Sequence, residues 1–409
     1  MRRYFLGWIV WFCVFLACVA LANTIIDPYS IYRISLVHGL NEFKPRAQQQ
    51  GRLMKIHGLS YDRPRALILG NSRAEIGFDP QHRAWPHNAW PAYNAALAGS
   101  SLAVALDFAA RIQNIATPST IVLGVDFKDF LFDSRKPPVP RATVTQQRPR
   151  WEQIAGKAKE LSTTVLSLDA LIDSMLTIKA QYDRYPANLR RDGFNPMHDY
   201  VGIAQKEGYY AMFRQRDLEN AKAYKYDGND LFAAGTRSSA DFETLDEIIR
   251  LCRERGIALK LIIYPYHAHL LEMFQAAGLW DSFEQWKRAL VARSNPANKD
   301  EKDLLVLWDF SGHHAYATEA IPPANGQDKG ATMRWYWEAG HFKKELGDIV
   351  LERVLGNASG SADDGFGVVL TADNVEQHLA EQRESRRRYA NTHPEDVREI
   401  ETMIAHAKR

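Results

Sequence analysis

The sequence predicts an α/β protein with a mostly parallel sheet, a helical insertion and one transmembrane helix at its N-terminus. Four short apolar runs of strand length are separated by stretches with helical patterning, which is typical of a parallel sheet covered by helices on both faces. An uncharged apolar run at the N-terminus predicts the membrane helix. We therefore expect a three-layer α/β/α domain joined to a membrane anchor.

The N-terminal run, Phe5–Ala22, contains eighteen residues without a charge or a proline. As a helix it spans about 27 Å, close to the thickness of a bilayer core. Arg2 and Arg3 precede it, so the positive-inside rule keeps the N-terminus cytoplasmic and exports the remainder. We expect residues 1–24 to be an uncleaved, single-pass anchor in the inner membrane, with a periplasmic domain. A signal peptide cleaved after Ala20-Leu21-Ala22 and a buried soluble helix are the alternatives.

The composition, with 46% hydrophobic and 24% charged residues, is that of a globular protein. Lys and Arg total 51 and Asp and Glu total 49, which leaves a net charge of +2. This balance argues against nucleic acid as a partner, since dedicated binders carry a clear basic excess. Cys13 and Cys18 lie in the apolar run, so Cys252 has no partner for an intramolecular disulfide in the exported part.

The elements of the predicted domain, residues 61–355, follow a juxtamembrane connection over 25–60. Its strands are Arg65–Gly70 (RALILG), Thr120–Val125 (TIVLGV), Ala258–Tyr264 (ALKLIIY) and Leu304–Trp308 (LLVLW), short apolar runs that suit buried strands. Helices are predicted over Ser101–Ile115 and Phe242–Arg255, and Gly256 is a normal stop for the second of these.

Residues 134–235 interrupt the alternation of strands and helices. A proline-rich loop at 136–140 is followed by apolar residues at helical spacing from Leu161 to Leu176, which predicts an amphipathic helix. We interpret the segment as a helical insertion over the edge or mouth of the sheet. Residues 356–370 are predicted to be a flexible linker. Residues 371–409 form a charged helical tail that docks on the domain or on a partner.

Ser72 is the first candidate for chemistry. It directly follows the first predicted strand in Leu69-Gly70-Asn71-Ser72-Arg73, and open α/β sheets bind ligands at the carboxyl ends of their strands. Its backbone N–H can also point at a developing oxyanion. An ordinary helix N-cap is the alternative, since serine is preferred there.

Glu338 precedes His341 by three residues in Trp337-Glu338-Ala339-Gly340-His341. At this spacing both side chains act from one loop or first helical turn, so the carboxylate can orient the imidazole. The imidazole can then accept a serine proton. A surface turn with an isolated histidine is the alternative.

Gly99 and Asp126 are weaker candidates. Gly99 precedes a predicted helix and offers an unhindered backbone N–H to an oxyanion. Asp126 ends the second predicted strand and so faces the same mouth. A loop ended by an N-cap serine and an ordinary strand-terminating aspartate are the alternatives.

In combination, these blocks resemble the SGNH hydrolase superfamily, and in particular its membrane-anchored, exported branch of AlgJ/AlgX-like and DltD-like proteins. The resemblance covers roughly residues 60–355. It implies that Ser72 is the nucleophile and that Glu338 and His341 are the acid–base pair. It places Gly99 in the second block and Asp126 in the third. Arg73 and Asn94 are expected to help line the oxyanion site.

The resemblance further implies serine-dependent O-acyl transfer to, or ester hydrolysis on, a cell-surface or exported polysaccharide, as in exopolysaccharide biosynthesis. It also implies a membrane acyl-exporting partner. A non-catalytic assembly or glycan-binding component with a degenerate site, and a plain esterase, are the other hypotheses. We expect no cofactor and no metal, because the histidine pairs His267/His269 and His313-His314 show no converging third ligand.

Substrate contacts are expected at Tyr266 and His267, which follow the third predicted strand, and at Trp337, whose ring could stack on a sugar. Core packing is the alternative for all three.

Asp126 departs from the family pattern, which usually has asparagine in the third block. An ionised carboxylate only accepts hydrogen bonds and would repel an oxyanion. Either burial raises its pKa until it can donate a proton, or it turns away to bind a backbone N–H or Arg73. We expect the second arrangement, because an ion pair costs less than an isolated buried acid.

Overall fold

The computed structural model describes residues 1–135, 150–224, 228–294, 304–324, 331–356 and 365–408. The chain forms two compact units: Met1–Asp62 with the described residues of 150–202, and the described residues from 63 onward outside that segment. The strands are β1 (Ala66–Leu69), β2 (Ala92–Asn94), β3 (Thr120–Val125), β4 (Ala258–Ile263), β5 (Leu305–Asp309), β6 (Tyr336–Glu338), β7 (His341–Phe342) and β8 (Val368–Val369). The helices are α1 (Arg2–Ile26), α2 (Gly51–Asp62), α3 (Ser72–Gly77), α4 (Leu102–Gln113), α5 (Arg150–Thr164), α6 (Leu168–Ala180), α7 (His198–Glu207), α8 (Tyr209–Tyr224), α9 (Ala240–Arg255), α10 (Ala268–Ala276), α11 (Trp280–Ser294), α12 (Lys344–Leu355), α13 (Val375–Thr392) and α14 (Pro394–Ala407).

The second unit is built on a six-stranded sheet in the order β2-β1-β3-β4-β5-β8. The first five strands run parallel and β8 is antiparallel, so the predicted α/β class with a mostly parallel sheet is confirmed. The four predicted strands correspond to β1, β3, β4 and β5. Every residue of β1 and β3 is buried, which explains their uninterrupted apolar sequences.

The sequence missed the strands at the two edges of this sheet. β2 has three residues, too few for a recognisable apolar run. β8 lies within the predicted linker 356–370, of which residues 357–364 fall outside the described part of the chain. The linker prediction is wrong for its end, because Phe366 packs against Phe310 at 5.0 Å between ring centroids and β8 pairs with β5.

The C-terminal tail is helical, as predicted, and docks on the second unit. His378 Nε2 lies 2.9 Å from Asp309 Oδ2 at the end of β5, and Gln382 accepts a 2.5 Å hydrogen bond from Lys287 Nζ. These buried polar contacts fix α13 against the carboxyl edge of the sheet, and α14 packs on α8 and α10.

The segment 134–235 is not the single insertion that the sequence predicted. Its proline-rich loop at 136–140 lies outside the described residues. The predicted amphipathic helix is two helices, α5 and α6, because Ser167 caps α6 by accepting from the backbone N–H groups of Asp169 and Ala170. Both helices belong to the first unit, whereas α8 belongs to the second.

The first unit contains α1, α2, α5 and α6. Among the described helices, α1 is long and apolar enough to cross a membrane, and α5 with α6 meets this criterion only as a pair bent by 47°. α1 ends where Asp27 adopts a left-handed conformation, with φ at 47°. The Asp27 carboxylate accepts from the N–H of Ile31 at 2.8 Å, and Lys44 Nζ donates to the Ile26 carbonyl at 2.7 Å. These contacts set the exit of the chain from α1.

Candidate active site

The junction between β1 and α3 positions Ser72. β1 ends at Leu69, and Asn71 caps α3 by accepting a 3.1 Å hydrogen bond from the N–H of Arg73. β1 lies between β2 and β3 in the sheet. The chain therefore passes from β1 to β2 on one side and then crosses to β3 on the other side of β1. In doubly wound sheets such a switch point opens a crevice at the carboxyl ends of the strands. Ser72 and Asp126, at the ends of β1 and β3, therefore lie at the same edge.

His341 and Glu338 reach this edge on a two-stranded hairpin rather than on one loop or helical turn as predicted. β6 ends at Glu338 and β7 begins at His341, and the two residues are paired across the hairpin. The N–H of Gly340, in the turn between them, donates a 2.7 Å hydrogen bond to Glu338 Oε2. This backbone hydrogen bond holds the Glu338 carboxylate in place independently of its contact with His341.

Two glycines allow the hairpin to approach Ser72 closely. A Cβ on Gly347 in α12 would lie 1.7 Å from the carbonyl oxygen of Gly77 in α3. A Cβ on Gly77 would lie 1.9 Å from the Phe342 ring of β7. Because real side chains cannot occupy either position, the backbone of α12 and the Phe342 ring of β7 both pack directly on the backbone of the short helix that starts with Ser72.

Ser72, His341 and Glu338 form a continuous chain of hydrogen bonds. His341 Nε2 lies 2.8 Å from Ser72 Oγ, and His341 Nδ1 is hydrogen-bonded to Glu338 Oε1. The predicted approach of Ser72 to His341 is thus present. Their catalytic roles stay a prediction.

The electrostatics of the hairpin keep Glu338 ionised. Burial opposes its ionisation, but the facing His341, the bond to that ring and Arg216 outweigh burial and lower the pKa of Glu338 to about 2. Arg216 Nε lies 3.3 Å from Glu338 Oε2. An ionised carboxylate only accepts, so His341 Nδ1 carries the proton and Nε2 is the acceptor for the Ser72 hydroxyl.

Asp126 is turned away from Ser72, as we expected. Its carboxylate is ion-paired with the Arg73 guanidinium and accepts from Asn71 Nδ2 at 3.0 Å, from the Tyr266 hydroxyl at 3.0 Å and from the N–H of Lys128 at 3.3 Å. The same pairing corrects the expectation that Arg73 holds the oxyanion, because its charge is already opposed by Asp126 inside the protein.

Asp129 is a half-buried neighbour that the sequence analysis missed. Asn71 Nδ2 lies 3.2 Å from Asp129 Oδ2 and so bridges the two carboxylates. Burial and the charge of Asp126 raise the pKa of Asp129 well above its usual range, although Arg73 and Asn71 oppose the rise. The spacing Asp126-x-x-Asp129 after a strand was the available signal.

Gly99 lies on the loop beside this junction. The N–H of Leu97 donates a 3.1 Å hydrogen bond to the carbonyl of Gly70, and Ser100 Oγ donates to the same oxygen at 3.3 Å. Gly99 has φ at +69° and is exposed. The turn is therefore pinned to Gly70, two residues before Ser72, and the role of the Gly99 N–H at an oxyanion stays a prediction.

Asn94 and Tyr266 do not line an open site, contrary to expectation. Asn94 is fully buried, and its Nδ2 donates to the carbonyls of Ala74 and Phe78, both at 2.8 Å. These hydrogen bonds tie the C-terminal end of α3 to Asn94, the last residue of β2. Tyr266 is also buried and its hydroxyl is used by Asp126, so it supports the ion pair instead of contacting substrate.

His267 and Trp337 are packed side chains as well. His267 Nε2 lies 3.0 Å from the Glu319 carbonyl, and its Nδ1 accepts from the N–H of His269 at 3.2 Å. Burial lowers the pKa of His267 to about 3, so the ring is neutral. Trp337 is buried with the Lys343 ammonium 4.2 Å from its ring centroid. His267 and Trp337 therefore fit the alternative of core packing and not that of substrate contact.

Arg216 is the main site residue that the sequence gave no means of finding. It comes from α8, within the segment interpreted as an insertion, and no motif marks it. The adjacent Asp217 is buried and lies 2.8 Å from His269 Nδ1, so α8 is fixed to α10 while Arg216 faces Glu338.

Within the part of the chain that the structure describes, no group of three or more His, Cys, Asp or Glu side chains is arranged to hold a metal ion. Comparison with protein-family models gives no match, and no curated protein matches the chain either. The case for a function therefore depends on the geometry of the site and on the sequence blocks that form it.

Proposed function

We propose that the second unit is a three-layer α/β/α domain of SGNH type and acts as a serine-dependent O-acyltransferase or esterase. Its substrate class is an O-acyl ester on a cell-surface or exported polysaccharide, handled outside the cytoplasm by a domain anchored through α1. The observation that carries this proposal is the hydrogen-bonded series Ser72–His341–Glu338 at the carboxyl edge of the sheet.

The chemistry follows the donors and acceptors of that series. Ser72 Oγ attacks the acyl carbonyl carbon while its proton passes to His341 Nε2, and the Glu338 carboxylate stabilises the imidazolium that forms. The backbone N–H groups of Ser72 and Gly99 hold the oxyanion. His341 then returns the proton to the departing alkoxide, which leaves an acyl-serine. A glycan hydroxyl, or water, attacks this ester as it gives its proton to His341. The bond between Ser72 Oγ and the acyl carbon then breaks, and His341 returns the proton to Ser72 Oγ.

One observation favours a second function, that of a non-catalytic glycan-binding or assembly component with the same fold. The third block supplies no side-chain donor to an oxyanion, because Asp126 is an acceptor that is ion-paired with Arg73. The oxyanion site then has backbone donors alone, as would be expected after loss of catalysis.

Activity on a chromogenic acetyl ester, measured with the full-length protein in detergent, separates the two functions. We expect Ser72→Ala to lower kcat/KM by at least about 10³-fold and a fluorophosphonate to label Ser72 alone. Ser119→Ala is the matched control, because Ser119 lies before β3 at the opposite edge of the sheet and bonds the Arg65 carbonyl at 3.2 Å. Ester turnover or labelling that persists in Ser72→Ala contradicts the proposal. Saturable binding of an acetylated glycan without turnover supports the non-catalytic function.

A further inference from the structure

The first unit presents an apolar face to its surroundings on α6, on the junction before it and at the end of α5. This apolar face consists of Leu161, Leu166, Leu168, Ile172, Met175 and Leu176. Ile172 is 53% exposed and Met175 is 56% exposed. Large exposed apolar side chains are scarce in the second unit, where Trp90 and Leu218 are the described examples. Contiguous exposed apolar surface of this kind marks a contact with another phase or molecule.

The inward side of α6 is polar, which reverses the pattern of a helix on a water-soluble protein. Asp173 accepts a 2.8 Å hydrogen bond from the Tyr29 hydroxyl and a 2.7 Å bond from Arg46 Nε. Ser174 Oγ lies 2.9 Å from Asn23 Oδ1. The Asp173 carboxylate and the Ser174 hydroxyl are thus bonded within the protein, whereas Leu168, Ile172, Met175 and Leu176 of the same helix are exposed.

The position of α6 relative to α1 identifies the occupant of the apolar face. Asn23 Nδ2 donates to the carbonyls of Val165 at 2.9 Å and Ser167 at 3.2 Å, so the start of α6 is tied to the last turn of α1. The buried residues of α1 are Val19, Asn23 and Ile26, and α6 packs on this end of the helix. Where α1 leaves a bilayer, the apolar face of α6 is at the bilayer surface.

We propose that the apolar face of α6 inserts into the lipid bilayer at its surface, beside the end of α1. α6 has 13 residues, a length of about 20 Å that is too short to span a bilayer. Its exposed charges, Asp169 and Lys179, suit the headgroup boundary and not the hydrocarbon core. The chain is then held at two places, and the first unit is fixed on the membrane surface instead of swinging from a single helix.

Electron paramagnetic resonance of the full-length protein in phospholipid vesicles tests this proposal. A nitroxide is attached to Ile172→Cys in a background with Cys13→Ser and Cys18→Ser. Cys252 stays in place because it is buried and its pKa is raised to about 12 by that burial, which leaves it unreactive. Collision rates with oxygen, which concentrates in lipid, are compared with those of a water-soluble nickel chelate.

We expect the ratio of oxygen to nickel collisions for Ile172→Cys, and likewise for Met175→Cys, to be severalfold higher than for Ser60→Cys. Ser60 is the matched control because it is exposed on α2 of the same unit. A high nickel rate at Ile172→Cys places the face in water, and low rates with both reagents place it under protein, including a second copy or another part of the chain. Either result overturns the proposal.

The inference depends on α1 crossing the bilayer and not on catalysis by Ser72. A label on Cys13, with Cys18→Ser as the only substitution, reports on α1 itself. If that label is in lipid and the label on Ile172→Cys is not, the proposal for α6 fails while the anchor stands. If neither label is in lipid, the anchor fails as well.

Discussion

At the scale of single residues, the site depends on two buried ion pairs with different tasks. Glu338 contacts Arg216 and His341, and the imidazole of His341 lies between Glu338 and Ser72. Asp126 is paired with Arg73, the residue after Ser72, and so stabilises the turn that carries Ser72. The first pair orients a proton acceptor, whereas the second holds backbone geometry.

Replacing Glu338 by glutamine tests the first pair. The amide cannot stabilise an imidazolium, and its N–H₂ end favours the wrong tautomer of His341, so we expect kcat to fall by about 10³- to 10⁴-fold. The folded-state pKa of about 2 lies below the ordinary value of 4.5. The ionised group therefore stabilises the fold above about pH 4.5, and this contribution is lost as the pH falls towards 2.

Urea unfolding of Glu338→Gln between pH 2 and pH 5 measures that second effect, and we expect the steep loss of stability in this window to be smaller than in the parent. Unchanged turnover in the variant would contradict the role given to Glu338.

Replacing Asp126 by asparagine tests the second pair. It leaves the buried Arg73 guanidinium without a counter-charge, which costs about 3–5 kcal/mol of unfolding free energy, with little gain in rate. Denaturant unfolding and ester turnover measured together check this. A large rise in turnover would instead mark the native carboxylate as inhibitory and favour the non-catalytic function.

Asp129→Asn is the matched control for Asp126→Asn. The raised pKa of Asp129 means that the folded state binds a proton which the unfolded chain releases above its ordinary pKa near 3.8. Stability is therefore lost as the pH rises above that value. The neutral amide removes this cost, so we expect equal or greater stability at pH 7.

At the scale of elements, the approach of α3, β7 and α12 decides whether Ser72 and His341 meet. The two partners are 269 residues apart, so no local propensity brings them together. What permits the contact is the absence of side chains at Gly77 and Gly347, which lets α12 and the Phe342 ring of β7 pack directly on the backbone of α3.

Gly347→Ala is expected to separate α12 from α3. The added methyl group overlaps the Gly77 carbonyl, so the helix must shift, at a cost of about 1–3 kcal/mol. His341, three residues before α12, then moves off Ser72 and ester turnover falls with it. Thermal unfolding and turnover report the two effects.

Gly156→Ala in α5 is the control, since no atom lies within 4 Å of the added Cβ. There the gain in helix propensity should leave stability unchanged or raised by up to about 1 kcal/mol. Normal turnover in Gly347→Ala would exclude the packing argument.

At the scale of the whole molecule, the chain combines an N-terminal apolar helix with a sheet-based unit that holds the candidate site. Arg2 and Arg3 before α1 predict that residues after α1 are outside the cytoplasm. Among the described helices, α1 is long and apolar enough for one membrane crossing.

A reporter enzyme that works only outside the cytoplasm, fused after residue 60, is expected to be active. A second reporter that works only in the cytoplasm, fused at the same residue, is the control and should be silent. The reverse pattern would place the domain in the cytoplasm. The mass of the membrane-bound protein decides between an uncleaved anchor and cleavage after Ala22.

The sequence by itself determined the elements whose signals are local. β1, β3, β4 and β5 are found within a residue or two of their predicted bounds, because the buried positions of parallel strands give short, largely apolar runs. α9 ends at Arg255 before a left-handed Gly256, as the arginine–glycine stop indicated. Ser72, Glu338 and His341 were recognised for the same reason, since each lies in a short block at the end of a strand or turn.

Only the tertiary structure decided what each of the other polar residues does. Tyr266, His267, Asn94 and Trp337 follow or precede strands, as substrate-contacting residues do, yet each is enclosed by elements distant in sequence. Arg216 reaches Glu338 from α8, and no local sequence pattern predicts this contact. The periodicity of a strand or helix predicts which of its own residues are buried. It does not predict which residue of another element each of them contacts, because that depends on how the elements pack. For that reason the sequence predicted the residues of the candidate site, and the fold decided which other side chains contact them.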